Sequence, residues 1–176
     1  MASKLVIPEV LNHYNVYDEN AKKLIGVSGE IELGELEAIT DTIEGSGIIG
    51  EIEDPVTGQF SSLKIKIPFS VLYEDIFKLM NTTKPPMLVL RSSMQCMDPT
   101  TGETGYYPVR IAVRGKASNT NLGKVTKGKK GEPEIELEVL YIKISINNKV
   151  TLELDKLNFK FKWNGIDMLA TIRKQV

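Results

Sequence analysis

The sequence has little of what most enzymes and metal sites are built from. Its one cysteine, Cys96, excludes an internal disulfide framework and suits a reducing cytoplasm. Its one histidine, His13, excludes a metal site made of several histidines. No apolar run exceeds four residues, as in Met87–Leu90, so we expect no insertion into a membrane. Because Met1–Pro8 has no long apolar stretch, we expect no signal peptide either.

The total numbers of positive and negative side chains are almost equal. There are 22 Lys and Arg residues against 23 Asp and Glu residues, a formal net charge of -1. A dedicated nucleic-acid-binding domain usually carries a clear basic excess, so this class is not favoured. A length of 176 residues suits one domain with a sizeable core. Since no break in composition divides the chain, we expect a single domain over residues 1–176.

Alternation of apolar and polar residues with a period of two dominates the sequence and indicates half-buried strands. The predicted strands are Leu63–Ile67, Pro86–Met97, Tyr106–Lys116, Glu134–Ile146, Val150–Asp155 and Leu157–Trp163. One internal helix is predicted over Ser70–Met80 with Ser70 as its cap, and a second short helix over Asp167–Lys174. The prediction is therefore a mainly β fold, an antiparallel β-sandwich or barrel with one short packed helix and extended loops for oligomerisation.

Four short segments carry turn chemistry. Asp54–Gly58 and Asp98–Gly102 share an Asp-Pro start and a glycine end, which predicts a hairpin turn at each. Asn147–Asn148 and Asn164–Gly165 predict two-residue hairpin turns. The four turns would join neighbouring strands of an antiparallel sheet.

The strand Glu134–Ile146 changes phase along its length. Its apolar residues occupy odd positions as far as Tyr141 and even positions from Leu140 to Ile146. A change of phase moves the buried side to the other face of a sheet. Either a bulge lies near Val139–Ile142, or the strand is shared between the core and a subunit interface.

Positive and negative charges are segregated. Nine acids and no Lys or Arg lie between Leu24 and Leu63, whereas six cations and no acid lie between Ile111 and Gly131. The segment Ser118–Gly131 is rich in Gly, Asn, Thr and Lys, which predicts a mobile polar loop. The pattern fits two solvated surfaces in a monomer. In an assembly it fits complementary faces or an acidic surface that repels DNA phosphates, and a phosphate-binding arm is a further alternative.

Motifs that suggest catalysis or ligand binding lack their usual context. Gly45–Gly50 matches G-x-G-x-x-G, but the acids and Pro55 that follow disfavour both a phosphate and a helix. Cys96 and His13 are far apart in sequence, and nothing selects an acid–base pair among the carboxylates. A base-stacking platform at Tyr106, Tyr107, Arg110 and Arg114 is less favoured than ordinary strand alternation. We expect no catalysis, no cofactor and no metal.

The order of these features resembles a known family. The features in sequence are the acidic block with Gly45–Ile52, the strand Leu63–Ile67 with the helix Ser70–Met80, the segment Val109–Lys116 before the polar loop, then Tyr141–Lys149, Leu157–Phe159 and Asn164–Leu169 before a basic tail. In this order the chain resembles the major tail tube protein of contractile-tailed phages and phage-tail-like bacteriocins. The likeness covers nearly the whole chain.

The resemblance implies a structural protein without catalytic activity. Such subunits form hexameric rings that stack into a hollow tube inside a contractile sheath, with strands of adjacent subunits joined around the lumen. The implied partners are copies of the chain itself, the tail sheath protein, the tape-measure protein, the baseplate and the tail terminator. In a phage, DNA would pass through without specific binding. The particle would be a virion tail or an extracellular tail-like particle, assembled in the bacterial cytoplasm.

The resemblance also implies roles for particular residues. The expected inter-subunit residues are Gly45, Gly47, Gly50, Lys124, Lys127, Lys129, Lys130, Asn164, Gly165 and Asp167. The expected lumen-facing residues are Glu35, Glu37, Lys64 and Lys66, in a wall that is net acidic so that it does not bind a polyanion. Two alternatives remain at this stage: a secretion-system tube protein that carries effectors, and an enzyme or small-ligand-binding barrel.

Overall fold

The computed structural model describes residues 6–176. Most of the segment Met1–Pro8, from which we expect no signal peptide, therefore lies outside the described residues. The chain is 53% strand and 7% helix, which confirms the mainly β prediction. The elements in chain order are β1 (Ile7–Tyr17), β2 (Ala38–Ile43), β3 (Ile52–Phe60), β4 (Lys64–Pro68), α1 (Glu74–Leu79), β5 (Met87–Met97), β6 (Thr104–Asn121), β7 (Glu134–Ile146), β8 (Lys149–Asp155), β9 (Lys160–Trp163), β10 (Ile166–Asp167) and α2 (Ala170–Gln175). In this range no helix is long and apolar enough to cross a membrane.

The strands form one large antiparallel sheet and one separate hairpin. The large sheet has eight strands in the order β1-β5-β6-β7-β8-β9-β10, with β4 beside β7. The first half of β7 pairs with β4 and its second half with β8, while β6 lies along its other side. Strands β2 and β3 pair only with each other. The described chain is thus an antiparallel sheet that does not close into a barrel by itself.

The core lies on one face of the large sheet. Ile65, Ile67, Ile135 and Leu137 point into it from β4 and β7 and are almost completely buried. α1 covers this face with two buried apolar side chains, Ile76 and Leu79, and the connection 24–36 packs beside it. Because side chains alternate along a strand, the intervening positions lie on the opposite side, which we call the open face.

A bulge at Leu140 explains the change of phase in β7. Arg114 pairs with Tyr141 and Gly115 with Val139, so Leu140 has no partner on β6. Val139 before the bulge and Ile142 after it are both buried in the core. The bulge interpretation is therefore confirmed, and the extra residue keeps both apolar sets on the same face.

Two predicted boundaries were wrong. β9 begins at Lys160, because 156–159 form a turn in which Asp155 Oδ1 accepts hydrogen bonds from the amides of Leu157 and Asn158. β6 continues to Asn121, so four residues of the predicted polar loop are strand, and three of them, Asn119, Thr120 and Asn121, pair with β7. The lysine-containing remainder, 122–131, lies outside the strands.

The internal helix is shorter than predicted. α1 begins after Tyr73, and no side chain caps it. Ser70 is not the cap, because its backbone is hydrogen-bonded to two other segments. Its amide donates to Gly26 O, and its carbonyl accepts from the Gly131 amide. The apolar stripe of the predicted helix is also only partly buried, since the Phe77 side chain is 53% exposed.

Three of the four predicted turns are present. The Asp98 carbonyl accepts from the Gly102 amide, and its side chain accepts from Thr100. Asn147 and Asn148 have φ of +49° and +61°, and Asn164 has φ of +48°, as two-residue hairpins require. The Asp54–Gly58 prediction was wrong, because this segment lies inside β3 and Asp54 pairs with Asp41.

Candidate assembly surfaces

The edge strand β1 leaves one side of the large sheet open. One edge of β1 pairs with β5. On its other edge a hydrogen bond is made near the carboxyl end of the strand, where the Leu24 amide donates to Val16 O. Val10 is 55% exposed and Leu11 62% exposed. A long edge strand with exposed apolar side chains is a template for pairing with another chain.

The β2–β3 pair forms a protruding acidic hairpin, which we define as Ala38–Phe60. Every residue from 39 to 55 is exposed. Its strands and turn carry five acids: Asp41, Glu44, Glu51, Glu53 and Asp54. The ion pairs among residues 6–176 include none of them. A two-stranded hairpin is marginally stable alone, so its shaft needs support from elsewhere.

The base of the acidic hairpin is anchored on the core side of the large sheet. The rings of Phe60 and Phe161 meet edge-on with centroids 4.9 Å apart. Gly58 packs against Leu169, which is 1% exposed. The hairpin therefore leaves the domain beside β9 and α2, with its tip free.

The predicted contact residues Gly45, Gly47 and Gly50 lie at this tip. All three have positive φ, and an added Cβ would meet nothing within 4 Å. Strand β3 follows them, so the helix that a dinucleotide site needs is not there. Ile49 between them is fully exposed. The tip is therefore exposed and uncrowded, and its role between subunits stays a prediction.

The lysine loop, Leu122–Gly131, has a closed neck and an exposed tip. The Lys124 amide donates to Gly131 O over 2.7 Å, and the Gly131 amide donates to Ser70 O over 2.9 Å. These bonds fix the neck beside the segment that leads to α1. Lys124, Lys127, Lys129 and Lys130 are all exposed. The structure therefore brings these four predicted contact residues together on one protrusion.

The open face carries a group of cations on its three central strands. Arg91 on β5 pairs directly with Arg110 on β6, and Arg114 and Lys143 lie on the same side. The ion pairs within residues 6–176 include none of the four. Arg91 lies over the Tyr17 ring at 4.5 Å, which holds its guanidinium in place but leaves its charge uncompensated. We call these four residues the basic patch.

The predicted lumen residues fall in two places. Lys64 and Lys66 lie on the open face, where Lys64 Nζ is 3.0 Å from Glu136 Oε1 and Lys66 Nζ is 2.8 Å from Glu32 Oε2. Hydrogen bonds from Lys64 and Ser118 hold the pKa of Glu136 below its usual value, and the hydrogen bond to Glu32 raises the pKa of Lys66. Glu35 and Glu37 are exposed on the connection before β2 and take no part in these two ion pairs.

Another ion pair lies where β8 meets β9. Lys160 Nζ is 2.8 Å from Glu153 Oε1, and Glu153 is 8% exposed. Burial tends to raise the pKa of Glu153, but the hydrogen bond and charge of Lys160 outweigh it and the pKa is lowered. Burial, together with the nearby Glu153, raises the pKa of Tyr141. This pair ties the last strands to the sheet.

The predicted contact residues near the carboxyl end are partly used within the subunit. Asn164 and Gly165 form the exposed turn between β9 and β10. Asp167 binds Arg173 of α2, with Oδ2 2.6 Å from Nη2, and this hydrogen bond lowers the pKa of Asp167. The turn is thus free for contact, whereas Asp167 fastens α2 to the sheet.

The groups that resembled catalytic or metal-binding residues are not assembled. Cys96 is buried on β5 opposite Pro8, while His13 lies opposite Ser93. Within residues 6–176, no three His, Cys, Asp or Glu side chains are arranged to hold a metal ion. Sequence reasoning missed Arg91 and Lys143 as members of a patch, because that grouping depends on strand register.

An exposed edge strand, and an acidic hairpin and a basic patch that form no ion pairs within residues 6–176, define the class as a structural subunit that assembles with other chains. The chain belongs to the phage tail tube protein FII family, whose family model matches residues 8–176. It is 24% identical to the tail tube protein of Escherichia phage P2 over 177 residues, which covers 98% of this chain and 99% of that protein. Its function is that of a structural protein of a tail tube.

One solved structure shows the same fold at low identity. A chain of the sheath/tube terminator of PVC, an extracellular contractile injection system in the extended state, aligns with a TM-score of 0.54 and 12% identity, over 78% of this chain and 96% of that chain. A chain of the PVC sheath–tube complex aligns with a TM-score of 0.49 and 11% identity, over 75% and 87%.

Proposed function

We propose that this chain forms hexameric rings that stack into the hollow inner tube of a contractile tail. The observation that carries the proposal is the unfinished sheet: β1 is an exposed edge at one side, and β4 and β10 end the sheet at the other. Two different edges form a heterologous contact, which produces a ring when the rotation closes and a filament when it does not. Closure of the sheet through neighbouring copies would remove the exposed edges.

The protrusions fit contacts outside the shared sheet. We propose that the tip Gly45–Gly50, the lysine loop and the turn Asn164–Gly165 contact neighbouring subunits in the same ring or the adjacent ring. Their exposure and their distance from the core support this role. Asp167 would act indirectly, because it is already bound to Arg173 and holds α2 in place.

The open face is the proposed wall of the lumen. The core face is covered by α1 and the connection 24–36, whereas Lys64 and Lys66 of the opposite face are solvated. We propose that these lysines, with Glu35 and Glu37, border a lumen that holds a tape-measure protein and passes DNA or other cargo without specific binding. The proposed outer partners are the sheath, the baseplate and the tail terminator, in a tail-like particle assembled in the bacterial cytoplasm.

Negative-stain electron microscopy of the purified full-length chain tests this proposal. We expect rings or hollow tubes as the protein concentration rises. Leu11→Lys places a charge on the β1 edge and should suppress them, whereas Asn20→Lys adds the same charge on an exposed turn and should not. A compact monomer at every concentration, even with its assembly partners present, would contradict the proposal.

A further inference from the structure

Apolar side chains lie exposed on the outer side of α1 and on the three residues before it. They are Val71, Leu72, Tyr73, Phe77 and Met80. Tyr73 and Phe77 are four residues apart and lie on one side of the helix, whereas Ile76 and Leu79 fill the core from the other side. A group of exposed apolar side chains on a folded subunit is typical of a surface that another molecule covers.

The lysine loop continues this apolar group. The Gly131 amide donates to Ser70 O over 2.9 Å, so the neck of the loop lies beside the residue that precedes Val71. Leu122 and Val125 are exposed among the lysines of the loop. The exposed acids nearby, Glu74 and Glu132, are outnumbered by the four lysines. We call the apolar group and the lysine loop together the helix–loop surface, which is both apolar and positively charged.

The acidic hairpin has the complementary composition. Its five acids have no Lys or Arg among them, and Asp41 lies directly opposite Asp54, a like-charge pair that is unfavourable in an antiparallel ladder. Exposed isoleucines accompany the acids: Ile39, Ile43, Ile48, Ile49 and Ile52. No ion pair within residues 6–176 neutralises these acids or the lysines of the loop. The hairpin and the helix–loop surface therefore carry opposite charges, and both carry exposed apolar side chains.

The hairpin and the helix–loop surface of one subunit do not meet. Residues 39–55 are all exposed, and so are the side chains that make up the helix–loop surface. Strand β4 separates the two, because the hairpin ends at Phe60 before this strand and the neck of the loop binds Ser70 after it. An extended chain from Leu63 to Ser70 spans about 23 Å, at about 3.3 Å per residue. A partner for either surface must therefore come from another chain.

We propose that the acidic hairpin of one copy docks on the helix–loop surface of a neighbouring copy in the tube. The acids face the lysines of the loop, and the isoleucines cover Tyr73 and Phe77. α1 lies on the core side of the sheet, opposite the open face, so a hairpin bound there leaves the proposed lumen clear.

This contact rests on the proposed function, because it requires an assembly of identical chains. It gives the two-stranded shaft of the hairpin the support that it lacks in the free subunit, and the opposite charges select the partner surface. A nucleic acid would neutralise the lysines of the loop but would bring no apolar side chains to α1.

A charge exchange tests the contact in the full-length protein. Glu44→Lys/Glu51→Lys on the hairpin and Lys127→Glu/Lys129→Glu on the loop should each raise the protein concentration at which tubes appear by about tenfold or more. The four substitutions combined in one chain should restore tube formation toward the wild-type concentration. Lys149→Glu/Lys174→Glu makes the same charge change at exposed lysines elsewhere, and we expect it to leave assembly unchanged.

The apolar half of the contact has its own variants. Ile49→Gln and Phe77→Gln should each weaken assembly, whereas Leu157→Gln, at an exposed leucine in the turn before β9, should not. All these side chains are exposed, so the free subunits should melt close to the wild-type temperature, which separates a lost contact from misfolding.

Failure of the fourfold exchange to restore tubes would overturn the inference. Unchanged tube formation by Lys127→Glu/Lys129→Glu, with loss of binding to a DNA oligonucleotide, would also overturn it and would assign the loop to a nucleic acid. Tubes from wild-type protein in either case keep the proposed function intact, whereas failure of the wild type to assemble with its partners present would overturn both.

Discussion

Gly58 of β3 packs directly against the side chain of Leu169, which precedes α2. A Cβ on Gly58 would lie 2.6 Å from Leu169 Cδ2, and the glycine has φ of +77°. The contact joins the base of the acidic hairpin to the carboxyl-terminal helix through a fully buried leucine. The direction in which the hairpin leaves the domain therefore depends on one position without a side chain.

Gly58→Ala should destabilise the subunit and displace the hairpin. The added methyl clashes with Leu169, and the positive φ adds strain, so we expect a loss of about 1–3 kcal/mol in the free energy of unfolding. Urea denaturation measures it. Gly47→Ala is the matched control, because Gly47 also has positive φ, +97°, but has open space around it. Equal losses for the two variants would show that the contact with Leu169 does not matter.

Gly115→Ala should disturb the bulge of β7. A Cβ on Gly115 would lie 2.7 Å from Glu138 O, a backbone atom that cannot move away without shifting the strand. We expect a loss of about 1–3 kcal/mol in the free energy of unfolding and faster amide hydrogen exchange around Leu140. Gly105→Ala on the same strand has free space and serves as control. Unaltered protection of 138–142 in Gly115→Ala would contradict this expectation.

Local patterns predicted much of the fold. The bounds of Glu134–Ile146 agree with β7 because alternation on both sides of one phase change, followed by Asn-Asn, defines both the strand and its end. The prediction of a turn was wrong at Asp54–Gly58, although the same sequence pattern correctly predicted the turn at Asp98–Gly102. In β3 the positive φ of Gly58 serves the tight contact with Leu169 rather than a reversal of the chain, and that contact spans more than a hundred residues.

The candidate surfaces were less predictable than the strands. The sequence singled out the glycines of the hairpin tip and the four lysines of the loop, because composition alone marks exposed protrusions. It did not reveal that Arg91 lies opposite Arg110, since that relation depends on the register between β5 and β6. Nor did it reveal that Asp167 is bound to Arg173, which depends on how α2 folds back.

The lysine loop should become protected from proteolysis on assembly. In the free subunit Lys124, Lys127, Lys129 and Lys130 are exposed, so limited trypsin treatment should cleave there first. In tubes we expect the same bonds to be cleaved at least about tenfold more slowly, because a neighbouring subunit orders and covers the loop. Mass spectrometry of the fragments identifies the sites, with cleavage after exposed Lys174 as internal reference. Equal rates in subunit and tube would show that the loop takes no part in the contact.

The pair of Glu153 and Lys160 should make stability depend on pH in the acidic range. The pKa of Glu153 is lowered in the folded chain, so the unfolded chain binds more protons near this pKa and stability rises with pH. The contribution is present above the ordinary carboxyl pKa of about 4.3 and is lost as the pH falls through the folded pKa. Lys160→Met removes the hydrogen-bonded partner and leaves burial opposed only by the charges of Lys143 and Lys162, so the pKa of Glu153 should rise. We therefore expect this variant to lose about 1–3 kcal/mol at neutral pH and to begin its acid loss at higher pH than wild type. Urea denaturation between about pH 3 and pH 7 measures both effects, with Lys149→Met as a control at an exposed lysine. Parallel pH profiles for Lys160→Met and wild type would mean that Lys143 and Lys162, rather than Lys160, keep Glu153 charged.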